Sequence, residues 1–159
     1  MKKIKTSALL LFVLAAGLLG ACDQDADQPL KDIIKQDLGY LPVIASFTLA
    51  SPTPAVGTAP TPVKPGAACT FDLRYWSEGQ IDRVQLSSRV GTTGTPSFIY
   101  DQGYEPAYSS ITRTDSLRVT YTVPADAVAG TRIRVEARVT NVDLADYPRT
   151  AAVELLITP

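Results

Sequence analysis

The chain has 159 residues, with 15 basic side chains against 16 acidic, two cysteines and no histidine. That length suits one domain with some sequence to spare, and without a basic cluster no nucleic-acid partner is expected. Lacking histidine, the chain has neither the commonest general base nor the commonest metal ligand; a serine–histidine or cysteine–histidine catalytic arrangement is impossible, and a structural zinc site would be short of ligands.

Met1, Lys2, Lys3 and Lys5 make a short basic start, and Ala8 through Leu19 then runs without a charge. This is the pattern of a secretory signal. The apolar run is about a dozen residues, where a spanning helix needs roughly 20, so it predicts a signal peptide over residues 1–21. The segment ends Leu19-Gly20-Ala21-Cys22. An apolar residue, two small residues and a cysteine resemble the bacterial lipobox. The resemblance implies cleavage before Cys22, a diacylglyceryl group on its sulfur and then acylation of its new amino group. Two or more acyl chains give stable membrane attachment. The alternative is an ordinary secreted protein with a chance cysteine at the cleavage point. Loss of Lys2, Lys3 and Lys5 leaves 12 basic residues against 16 acidic, a net charge of about −4.

Asp23, Asp25 and Asp27 follow at once. They resemble the export signal of Bacteroidota-type surface lipoproteins, and also the aspartate that retains some lipoproteins in an inner membrane. The outer membrane is the favoured location, its outer face included. A calcium loop of EF-hand type would next want a glycine and, at position 12, a glutamate; Gln28 and Ile34 stand there instead.

Residues 22–42 read as a lipidated tether. Within it Leu30, Ile33, Ile34 and Leu38 have helical spacing before Gly39, which fits a short amphipathic helix or irregular chain. From Val43 the period becomes two, with Val43, Ala45, Phe47 and Leu49 set against Ile44, Ser46 and Thr48. Five prolines between Ser51 and Pro65 rule out a full hydrogen-bond ladder and predict a long loop or an edge-strand crossover.

After Pro65-Gly66, Cys69, Phe71, Leu73 and Tyr75 alternate with Thr70, Asp72 and Arg74. Val84 and Leu86 do the same within 80–90. Gly91-Thr92-Thr93-Gly94 marks a turn, and Phe98-Ile99-Tyr100 suggests a short edge strand. Leu117, Val119, Tyr121 and Val123 alternate again. So do Ile133, Val135, Ala137 and Val139, and last come Val153, Leu155 and Ile157. Six or seven short strands, each with one apolar face, predict two antiparallel sheets on a shared core. A small barrel is the alternative closure.

The span from about Val43 to Thr158 resembles an immunoglobulin-like or fibronectin-III-like domain. The carrying residues are Pro65-Gly66, Ser77 through Val84 at a B–C turn, and Tyr121-Thr122-Val123-Pro124 through Gly130-Thr131 at an E–F corner. Similar stretches recur in small Bacteroidota lipoproteins, including accessory lipoproteins of glycan uptake. The chain departs from true immunoglobulins. Cys69 faces Ala137 and Val139 rather than a second cysteine, Trp76 falls at the end of strand B, and no tyrosine holds the strand-F corner. The expected organisation is therefore an all-β, antiparallel immunoglobulin-like sandwich over residues 43–159.

Phe98, Tyr100, Tyr104 and Tyr108 crowd into one stretch, with Trp76 as a possible neighbour. Aromatic faces stack on sugars or anchor protein interfaces, and Gly103 and Pro106 suggest a loop, where binding residues concentrate. The plainer reading is that the tyrosines cap the open end of the sandwich. Arg132, Arg134 and Arg138 line one strand face, suited to an acidic partner or to solvated pairing with Glu136 and neighbours. Asn141, Asp143 and Asp146 offer oxygen ligands, but are also ordinary turn formers. Lone Cys69 sits in an inward phase, which predicts burial. No cofactor or catalytic set is indicated. The expected role is a non-catalytic, lipid-anchored envelope protein acting in binding or assembly, or a glycan-binding accessory; a histidine-free, carboxylate-based hydrolase is the remote alternative.

Overall fold

The computed structural model describes residues 39–55, 57 and 59–159. The expected signal peptide, Cys22 and the segment 30–38 lie outside the described residues. Nine strands follow in order: β1 (Val43–Ser51), β2 (Thr61–Val63), β3 (Ala68–Trp76), β4 (Ile81–Val90), β5 (Ser97–Gly103), β6 (Tyr108–Ser109), β7 (Thr114–Thr122), β8 (Arg132–Asn141) and β9 (Arg149–Ile157). One sheet has the order β1-β3-β7-β6 and the other β2-β9-β8-β4-β5. Neighbours pair antiparallel except β2, which runs parallel to β9. The first strand thus edges one sheet, and the chain then crosses to lie along the last strand of the other. That topology is an immunoglobulin-like β-sandwich.

The core follows from the alternation. Cys69, Phe71, Leu73 and Tyr75 on β3 face Val84 and Leu86 on β4 and Ile133, Val135, Ala137 and Val139 on β8, all buried. Phe47 stacks on Phe71 with ring centroids 5.6 Å apart. Truncating a side chain such as Phe71 costs about 3–5 kcal/mol through lost burial and the cavity left behind. Gly66 adopts φ +75°, a conformation open to glycine at little cost, and its N–H bonds to Val123 O at 3.1 Å. The Pro65-Gly66 pair therefore turns the chain into β3.

One expectation needs correction. On β1 the phase is not uniform, because a bulge falls between Ile44 and Ser46. Val43 and Ala45 are exposed, while Ile44, Phe47 and Leu49 pack on the core. An extra residue in one strand shifts every side chain before it to the other face. Among the described residues there are nine strands, the expected seven or so plus β2 and β6, which have only three residues and two. Such short strands leave no periodic signature.

Candidate functional site

The stretch from Ser97 to Ser109 is not one loop. Phe98, Ile99 and Tyr100, aromatic and β-branched residues that favour strands, start β5, which runs through to Gly103 paired on one side with β4. The register shifts between Leu86 and Ser87, so Tyr100 stands opposite Leu86 and Phe98 opposite Ser87. Leu86 points into the core and Ser87 does not. Tyr100 accordingly packs on the core, and Phe98 is 63% exposed. Tyr104 lies in the crossover to the other sheet, and Tyr108 belongs to β6 there.

Tyr104 closes over Asp115, which is 4% exposed. The Tyr104 hydroxyl lies 3.2 Å from both Asp115 carboxylate oxygens, and the Ala107 N–H donates to Oδ1 at 2.9 Å. Tyr75 joins the cluster from β3, opposite Asp115 in register. Burial pushes the Tyr75, Tyr100 and Tyr104 hydroxyls above the usual tyrosine range; the Asp115 charge adds to the shift at Tyr75 and Tyr104, and Glu105 to that at Tyr100. This carboxylate pins the β5–β6 crossover through Tyr104 and Ala107, and Tyr100 packs on the core, so both tyrosines serve the fold. A carboxylate in the inward phase of Asp115, Leu117, Val119, Tyr121 and Val123 was the available sequence signal, since a buried acid demands donors.

The five candidate aromatics are not brought together. Trp76 ends β3 across from Val43, in the first sheet and beside the β3–β4 turn. Phe98 lies toward the opposite end of the second sheet, on its outer face. Tyr108, 62% exposed, sits on the short edge strand.

The outer face of β9-β8-β4-β5 is lined with charged side chains. Arg132 pairs with Glu154 at 2.9 Å and Arg134 with Glu136 at 3.0 Å. At the β5 edge Arg83 reaches Asp101 at 2.8 Å, and the Gln85 amide donates to the same oxygen at 3.2 Å. The Arg83 hydrogen bond holds the Asp101 carboxyl below its ordinary range. Arg138 and Arg89 have no ion-pair partner among the described residues. Arg89 stands directly across from Arg134 in register, and its Nε is buried without a hydrogen-bond partner. Ser87, Arg89, Pro96, Arg134 and Glu136 line a shallow groove of about 90 Å³, with Phe98 opposite Ser87 at its side.

Cys69 is fully buried and unpaired, and burial pushes its thiol up. A buried, protonated thiol is inert. Asn141 is buried too. Its amide donates to the Tyr40 carbonyl and to Ser77 Oγ, which tie the chain entry and the β3–β4 turn to the end of β8.

No family model matches the chain, and none of the curated proteins matches it. Among solved structures, the crystal structure of a Niemann-Pick type C2 protein from Japanese carpenter ant is similar, with a TM-score of 0.47 and 7% identity. The match covers 74% of this chain and 93% of that one. At that identity nothing about ligand or partner passes from that protein to this chain.

Proposed function

We propose that this is a non-catalytic, lipid-anchored protein of the cell envelope that acts in binding or assembly, anchored through Cys22 and presenting the outer face of β9-β8-β4-β5 to an acidic protein partner. The observation that carries the binding face is the pair of uncommitted arginines, Arg89 and Arg138, on an outer face whose other arginines, Arg83, Arg132 and Arg134, are ion-paired. An arginine without an internal acceptor gains from a partner's carboxylate, because charge-assisted bonds are the strong ones. The anchor rests on the Leu19-Gly20-Ala21-Cys22 motif after its apolar run.

A second reading, a glycan-binding accessory role, is favoured by exposed Phe98 beside the groove, where an aromatic face and a cation suit an acidic sugar. Labelling with a fatty-acid probe, with membrane fractionation and a Cys22→Ala control, tests the anchor: label and membrane association are expected in the native chain and absent from the variant. Equal labelling of both would contradict it. Saturable binding to a panel of neutral and acidic polysaccharides, lost on Phe98→Ala, would favour the glycan reading over the protein partner.

A further inference from the structure

The exposed apolar side chains are unevenly placed along the sandwich. Val90, Phe98 and Val128 lie toward one end. Tyr40, Leu41, Val43, Trp76, Val142 and Tyr147 lie at the other, each between 37% and 66% exposed. Ile111, 94% exposed, joins them from the β6–β7 turn. Register fixes this placement. β1 and β9 start at this end, β3 and β8 finish there, and Val43 pairs with Trp76.

Hydrogen bonds from Asn141 to Tyr40 and Ser77 hold three of these segments together. A Cβ on Gly79 would meet Asn141 Nδ2 at 2.9 Å, so the turn lies tightly on this platform. An open depression of about 310 Å³ runs beside it, lined by Leu41, Pro42, Val43, Ile44, Arg149 and Thr150.

This is also the end at which the described chain begins, at Gly39. From Cys22 to Gly39 the backbone spans at most about 60 Å when fully extended. A lipid on Cys22 therefore keeps this end within reach of the bilayer at a high effective concentration. We infer that the Tyr40–Trp76–Tyr147 end is a membrane-docking surface that rests on the bilayer holding the anchor. The inference builds on the lipid-anchor reading.

Tryptophan and tyrosine with flanking aliphatics are the side chains that settle at the headgroup level. Glu78, Asp143 and Asp146 accompany them against Arg149, so the contact is apolar and does not need anionic lipid. Strand β4 starts at this end and β8 finishes there, so both lie along the sandwich away from the bilayer and docking leaves their outer face open to a partner.

Trp76 is the one tryptophan in the chain and is therefore a native reporter. The test uses the lipidated mature protein in phosphatidylcholine vesicles, with acyl chains brominated near the headgroup or unmodified. The expected result is loss of about half or more of the Trp76 emission in brominated vesicles, unchanged by added salt. A Tyr40→Ser, Leu41→Ser, Tyr147→Ser variant should lose that quenching while keeping its acyl mass and its thermal unfolding. Equal emission in both vesicle types, from acylated and vesicle-bound protein, overturns the docking surface and leaves the anchor standing. An emission change that follows protein-to-lipid ratio rather than bromine assigns this end to a second copy and also overturns it. Intact mass showing no acyl group on Cys22 removes the anchor reading and the docking surface with it.

Discussion

Two neighbouring parts of the chain, the β5–β6 crossover and the outer face of β4, β5 and β8, are built from similar residues and do opposite things. Tyr100 and Tyr104 turn inward, and Tyr104 bonds to a buried acid. Phe98, two residues before Tyr100, turns outward beside a groove whose Arg89 lacks an acceptor. In one part a buried acid gathers its donors internally; the other keeps charge and aromatic surface free. The first sheet makes the same point. Its Asp72 is clamped by Arg74 at 3.2 Å and Arg118 at 3.1 Å, which leaves those arginines committed. What distinguishes the proposed binding face is the charge that remains unpaired, not the number of arginines.

That contrast can be broken most severely at Asp115. Asp115→Ala should lower stability by about 2–3 kcal/mol, because Ala107 N–H and the Tyr104 hydroxyl lose a buried charged acceptor; urea unfolding measures it, and partner binding by the folded fraction should persist. Tyr104→Phe removes one donor from the same acid and should cost about 1 kcal/mol. If Asp115→Ala unfolds at the native urea midpoint, the crossover is not pinned there.

Alkaline titration sharpens the same division. Tyr75, Tyr100 and Tyr104 have hydroxyls raised by burial. Their contribution to stability is fully present below the unfolded tyrosine value of about 10 and is lost as pH rises through the higher folded values. The thermal midpoint should therefore fall above about pH 10, and the loss should be smaller in Tyr104→Phe. A flat midpoint from pH 9 to 12 would sink the cluster.

The smallest structural effect belongs to the outer face. Arg89→Glu with Arg138→Glu, or Phe98→Ala, should shift stability by no more than about 0.5 kcal/mol. The arginine variant should abolish capture by an acidic partner, the opposite balance to Asp115.

Much of the sandwich was legible because period-two alternation reports burial directly. Cys69 through Tyr75 and Ile133 through Val139 read correctly, since each strand has one face in the core. β1 misled because a bulge is a single extra residue that the pattern cannot announce. The aromatic stretch misled for a related reason. Sequence proximity placed Phe98, Tyr100, Tyr104 and Tyr108 together, whereas the β5–β6 crossover distributes them over two sheets. Asp115 and Arg89 were visible as residues but not as a buried acid and an unpartnered cation. Those properties depend on strands β3 and β8, distant in sequence, and appear once the register is known.

The most direct test of the central claim is site-specific photocrosslinking in cells carrying the full chain, with the reactive group at position 98 or, on the other sheet's outer face, at position 120. A discrete light-dependent protein adduct from position 98, absent from position 120 and lost in the Arg89→Glu, Arg138→Glu background, is the predicted result. No adduct from position 98, or equal adducts from both faces, would contradict the account.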